Sequence, residues 1–197
     1  MIAIWRKTDK IMNLNELRDK AYRIAYDHGF HDKELSNEHC LMLVIKELSE
    51  AVEADRKDKY ADIGLFKEWQ SNPLPISEEL RISRFKQDFE EFIKGTVEEE
   101  LADAAIRLLD LCGLRNIELE NDCLDDEVLE EYSRIFINKT FTESIFNITK
   151  NLIDGDISYS LIKIFGLAKH LDIDLLWHIE QKQRYDELRP MLNGKRY

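Results

Sequence analysis

This sequence predicts an all-α fold, on three observations. Apolar residues return at every third or fourth position over several long stretches, the period of a helix with about 3.6 residues per turn. No run alternates apolar and polar residues for long enough to make a strand. The stretches are separated by Gly29, the run Asn72-Pro73-Leu74-Pro75, Gly95, the turn Asp154-Gly155-Asp156 and Pro190, residues that end or interrupt helices. With 197 residues, 44% of them hydrophobic, the chain supports one sizeable core and is read as one domain, 1–197, a helical bundle.

Taken in order, residues 13 to 28 carry Leu14, Leu17, Ala21, Ile24 and Ala25 at helical spacing after Asn13 or Asn15 as a cap. Ser36 or Asn37 caps a second helix whose informative part runs from Cys40 to Arg56. Residues 58–95 read as a partly exposed insertion or flap, broken at 72–75 and closed by Gly95. The helix over 97–114 is apolar around most of its circumference, which predicts burial. Residues 118 to 131 read as an acidic connector, 132 to 152 and 157 to 171 as two helices, and the last helix starts near Asp172 or Asp174 and runs to Leu188.

The net charge of -12 argues against a nucleic-acid surface, because a protein that neutralises many phosphates shows a basic face. Cys40, Cys112 and Cys123 are odd in number and lack CxxC spacing, so they read as free thiols of a reducing compartment. No run approaches the length that spans a bilayer, and the N-terminus is too poor in apolar residues for a signal peptide. The expectation is a cytoplasmic protein without nucleic-acid or membrane partners.

Chemistry concentrates on two helices. On the helix from Cys40 to Arg56, Leu41, Ile45, Leu48 and Val52 form one apolar stripe and Cys40, Leu43, Val44, Ala51 and Ala54 a second; Glu47 and Glu50 fall inside the second. Acids in an apolar wall need protonation, cationic partners or a metal ion. The helix over 97–114 carries Glu100, Asp103, Arg107 and Asp110 in its narrow polar arc. Glu47 with Glu50 and Glu100 with Asp103 are thus two carboxylate pairs at i, i+3, and antiparallel packing would bring all four together around a hard cation. The bland alternatives are a solvated face for the first pair and an Asp103–Arg107 pair at i+4 for the second. Glu53 reads as a surface acid, and Glu99 and Asp110 as solvated or interfacial. His31 and His39 stand before the acidic helix, able to line a base pocket or simply to cap; Trp5, Trp69 and Trp177 could stack on a base, with core packing the default for each. Lys182, Tyr185, Asp186 and Arg189 share one stripe of the last helix, with Lys195 in the tail. No Gly-rich phosphate loop is present, which leaves metal as the main phosphate anchor.

At these residues the chain resembles the all-α MazG-like nucleoside triphosphate pyrophosphohydrolases, whose pattern is ExxE followed by ExxD on the next core helix. The matching residues are Glu47-Leu-Ser-Glu50 and Glu100-Leu-Ala-Asp103, within KELSEAVEADRK and EEELADAAIRLLDL. The ending KQRYDELRPMLNGKRY is similar to one found in some members, matching at Lys182, Tyr185, Arg189, Pro190, Gly194 and Lys195. Lys46 stands where many members carry a further acid, Asp186 and Asn193 replace an Asn and a His, and the gap from Glu50 to Glu100 is longer than is typical.

The resemblance implies a MazG-like bundle with an insertion between its two metal helices. It implies a Mg²⁺-dependent hydrolase, with Mn²⁺ as a substitute, that splits a nucleoside triphosphate into monophosphate and pyrophosphate. Glu47, Glu50, Glu100 and Asp103 would be the metal ligands and catalytic residues, and Lys182, Tyr185, Arg189 and Lys195 the substrate-binding ones. A homodimer or higher homo-oligomer is expected. The rival readings are a dUTPase, dCTPase or phosphoribosyl-ATP pyrophosphohydrolase, or a non-catalytic helical interaction protein on the same scaffold.

Overall fold

The computed structural model describes residues 13–72, 77–120 and 124–194, without the side chains of 193 and 194. Over these residues all regular secondary structure is helical. Trp5, Cys123, Lys195 and the prolines of the 72–75 break lie outside the described residues.

Helix α1 (Leu14–Asp27) starts where the Asn13 side chain accepts a hydrogen bond from the Asn15 N–H at 2.8 Å, and it buries Leu14, Leu17 and Ala21. It stops at Gly29, whose φ of 78° is a left-handed conformation that glycine adopts without steric cost. Helix α2 (Asn37–Arg56) starts where the Ser36 hydroxyl accepts from the His39 N–H at 3.2 Å. The segment read as an insertion folds into α3 (Ile63–Ser71) and α4 (Glu78–Phe92). Phe66, Phe85, Phe89 and Ile93 of this segment form a second apolar cluster with Tyr185, against which Trp177 packs. The insertion is therefore seated on the last helix by aromatic packing.

Helix α5 (Val97–Leu114), capped by Thr96, is the centre of the bundle: Val97, Leu101, Ala104, Ala105, Leu108 and Cys112 are all 0% exposed. It is flanked by α1, α2 and, further along the chain, α8 (Ile157–His170) and α9 (Leu175–Glu187). Arg115 meets Asn37, Arg107 meets Glu47, and the Val97 N–H donates to the Lys59 carbonyl. Numbers rise along α2 as they fall along α5, so these two helices run antiparallel. The close approach of α1 to α5 depends on Gly113, where a Cβ would lie 2.6 Å from the Tyr22 Cβ.

The second half departs from the sequence expectation. Helix α6 (Asp126–Ser133) begins inside the stretch read as a connector, a 3-10 turn covers Arg134–Phe136, and α7 (Phe141–Ile153) is a new helix rather than a continuation. The reason is a capping box: the Thr140 N–H donates to the Glu143 carboxylate at 2.8 Å, and the Glu143 N–H donates to the Thr140 hydroxyl at 3.3 Å. Helices α8 (Ile157–His170) and α9 (Leu175–Glu187) follow, and a 3-10 turn, Met191–Gly194, ends the described chain. Since neighbours within one chain cover α5, its apolar breadth needs no second subunit. No helix of the described residues is long and apolar enough to cross a membrane.

Candidate metal centre and adjoining cleft

The antiparallel packing of α2 on α5 brings Glu47, Glu50 and Glu100 together, with one carboxylate oxygen from each lying within 4.8 Å of the others. Glu47 is buried, 1% exposed, and Glu100 is 8% exposed, whereas the Glu50 side chain is 45% exposed at the rim. The helical wheel, which places both Glu47 and Glu50 in a buried stripe, is thus correct for the first only.

The three acids are treated very differently by their surroundings. Glu47 accepts from Arg107 Nε at 2.6 Å on one oxygen and from Lys46 Nζ at 3.1 Å on the other. Burial and then the Asp103 charge push its pKa up, and Arg107 and Lys46 pull against them. Glu50 accepts from the same Lys46 ammonium at 2.5 Å. Glu100 has no hydrogen bond or ion pair to its carboxylate among the described residues. Burial first, and then Glu99, Asp103, Glu50 and Glu47, push its pKa up to about 8. A buried carboxylate facing two others with no donor of its own is the feature here that most needs a cation.

Asp103 does not join the three. Its carboxylate stands 2.8 Å from Lys182 Nζ, and that ammonium also meets Glu99. Lys182 is 4% exposed; burial alone would lower its pKa, but Asp103, Asp186 and Glu99 outweigh burial and hold it well above the ordinary lysine range. So the structure places the ammonium expected to meet phosphate inside a cage of acids. Glu99, read as solvated or interfacial, is 2% exposed and is one wall of that cage, its carboxylate also accepting the Gly95 N–H at 2.9 Å. Arg107, weighed from the sequence as an alternative i+4 partner of Asp103, makes its hydrogen bond across the helices to Glu47.

Tyr185 is buried in the aromatic cluster, stacked on Phe89 with centroids 4.4 Å apart, and its hydroxyl donates to Glu90. Glu53 pairs with Arg56 and Lys57 on the exposed face of α2. Trp177 packs edge-on against Phe66.

Next to the carboxylates lies a cleft enclosing about 810 Å³, counting the space open to solvent. Ala21, Ile24 and Ala25 of α1 line one side, and Asp103, Arg107, Lys182 and Arg189 line the other. Glu47, Glu50 and Glu100 do not line the cleft; Arg107, which does, reaches the cluster through its bond to Glu47. His31 also lines the cleft. Its side chain is 5% exposed, it stacks on Tyr22 with centroids 5.0 Å apart, and its Nε2 stands 2.8 Å from an Asp110 oxygen. The carboxylate assigns the ring proton to Nε2. Nδ1 is then an acceptor, buried and without a hydrogen-bond partner among the described residues.

Arg107 and Lys46 are the residues whose roles sequence reasoning missed. Both signals were present: Arg107 shares the polar arc of Glu100 and Asp103, and Lys46 precedes Glu50 by four residues.

No family model matches the chain, and neither the curated proteins nor the solved structures yielded a match.

Proposed function

We propose that the protein is a Mg²⁺-dependent nucleoside triphosphate pyrophosphohydrolase that uses Glu47, Glu50 and Glu100 as its metal ligands. The observation that carries this reading is Glu100, a buried carboxylate without a donor among the described residues, with one oxygen within 4.8 Å of an oxygen from each of two other carboxylates. Oxygen-only donors suit a hard cation. Ligands of one Mg²⁺ ion, at about 2.1 Å each, stand at most about 4.2 Å apart, so the widest permitted pair closes by roughly 0.6 Å. That is within the reach of a carboxylate rotamer.

When bound, the ion supplies an activated water and a counter-charge for phosphate oxygens. The protein's own residues do the rest. Glu47 is fixed by Arg107, which orients one oxygen and leaves the other toward the cluster. Asp103 fixes Lys182, which adds positive charge to the cleft wall without leaving its acids. Arg189 stands at the cleft wall where a polyphosphate would lie, and His31 accepts a hydrogen bond from an N–H of the base. One carboxylate of the cluster takes the proton of the attacking water. The experiment is pyrophosphate release from a panel of ribonucleotides and deoxynucleotides with Mg²⁺ or Mn²⁺, the panel including dUTP, dCTP and phosphoribosyl-ATP. Pyrophosphate from at least one, lost on chelation, supports the reading; survival of every nucleotide at high protein concentration overturns it.

A second reading, a non-catalytic helical interaction protein, is favoured by Lys46 and Arg107, which already neutralise much of the cluster. It predicts no nucleotide turnover. A homodimer belongs to either reading, and Met42, Phe146 and Ile153, at 59%, 70% and 73% exposed, are the apolar side chains a partner would cover. Light scattering at micromolar concentration tests it, and a monomer would contradict it.

A further inference from the structure

We infer that Lys46 is a built-in counter-ion of the carboxylate cluster, which a divalent cation must displace in order to bind. This rests on the reading of Glu47, Glu50 and Glu100 as a cation site and adds to it the residue that sets its affinity. Lys46 Nζ lies 2.5 Å from a Glu50 oxygen and 3.1 Å from a Glu47 oxygen, so one ammonium joins both acids of the ExxE pair. The other Glu47 oxygen is taken by Arg107. Lys46 therefore holds the Glu47 oxygen that Arg107 leaves and one of the two Glu50 oxygens.

The two cations differ in how readily they can leave. Arg107 comes from the central helix with its side chain 25% exposed, and its withdrawal would strand a Glu47 side chain that is 2% exposed. Lys46 is 43% exposed at the rim, on a flexible four-carbon stem, and can swing its ammonium into water. Glu100 is not among its ion-pair partners. A divalent ion and an ammonium on the same oxygens repel each other, so binding is an exchange in which the ion enters between Glu100 and the ExxE pair as Lys46 departs. Lys46 weakens metal binding by this competition and relieves the mutual repulsion of the acids when no metal is bound.

The test is Mn²⁺ binding to the full chain by calorimetry, for the parent, K46M, K46R and K57M. K46M should bind Mn²⁺ about threefold to tenfold more tightly, the range expected when a half-exposed competing charge is removed. K46R keeps the charge and should stay near the parent. K57M removes an equal charge from the end of the same helix, where Lys57 pairs with Glu53 at 3.1 Å, and should leave binding unchanged. As a second readout, Mn²⁺ should increase acylation of Lys46 by an amine-reactive reagent, read by peptide mass spectrometry. Equal affinity of K46M and the parent, a K46R or K57M as tight as K46M, or Lys46 acylation that Mn²⁺ leaves unchanged would overturn the role of Lys46 while the cation site stands. Absence of Mn²⁺ binding in both the parent and K46M would overturn the site and the role together.

Discussion

Arg107 Nε on α5 donates to a Glu47 oxygen on α2 at 2.6 Å, tying together the two helices that carry the acidic motifs. Burial would lower the Arg107 pKa, but the Asp103 and Glu47 charges more than compensate and raise it. Removing the arginine leaves a buried carboxylate with Lys46 as its remaining cation. R107M should therefore lose about 2–4 kcal/mol in urea unfolding, the cost of breaking a buried pair from one side. The double variant E47M/R107M should recover most of that loss. A single variant as stable as the parent would show that the pair contributes nothing to holding α2 on α5.

Asp103 and Glu100 share a motif but not their surroundings, and substitution should separate them. E100Q removes a buried acid that lacks a donor, so the metal-free protein should be at least as stable as the parent while hydrolysis is lost. D103N weakens the cage around Lys182, whose side chain is 5% exposed, and should cost about 1–3 kcal/mol before any metal is added. Equal stability of the two variants by thermal melting in a chelator would contradict this division.

The Glu100 carboxyl, pushed up to about 8, carries a pH signature. Above the ordinary carboxylate range the unfolded chain has released this proton and the native protein still holds it. Stability then falls as pH rises from about 4.5 toward 8 and levels off beyond. Asp186, pushed up to about 6 by burial against the pull of Lys182, adds a decline of the same sign at lower pH. In chelator, the parent should lose melting temperature over this window, and E100Q should lose clearly less between pH 6 and 8. Parallel curves would mean that Glu100 ionises normally.

His31 offers a cleft nitrogen without a partner among the described residues, and its contribution should be to binding rather than to the chemical step. H31F keeps a ring against Tyr22 and removes both the free acceptor and the bond to Asp110, and D110N beside it separates the two losses. H31F should raise KM about tenfold with kcat little changed, the pattern of an interaction made equally in ground and transition states. A loss in kcat at constant KM would place His31 in the reaction itself.

The all-α class and the meeting of the two motif helices were legible in the sequence because i, i+3 spacing places both acids of a motif on one face. The division of labour among the acids was not. Asp103 turns to Lys182, a residue of α9 brought in by tertiary packing, and no spacing within α5 reports that choice. The break before α7 was legible and overlooked: Thr140 and Glu143 stand at capping-box spacing inside the run read as one helix. The folding of 58–95 onto α9 depends on Phe66, Phe85 and Phe89 meeting Tyr185, an aromatic contact between segments about a hundred residues apart, which periodicity does not encode.

Whether Glu47, Glu50 and Glu100 act as one cation site is tested most directly by Mg²⁺-dependent melting of the parent beside E100Q. A ligand that binds only the native state raises its melting temperature by mass action. Millimolar Mg²⁺ should raise the melting temperature of the parent by several degrees and leave E100Q within error of its value in chelator. A parent that Mg²⁺ does not stabilise, or an E100Q protein stabilised to the same extent, would contradict the claim.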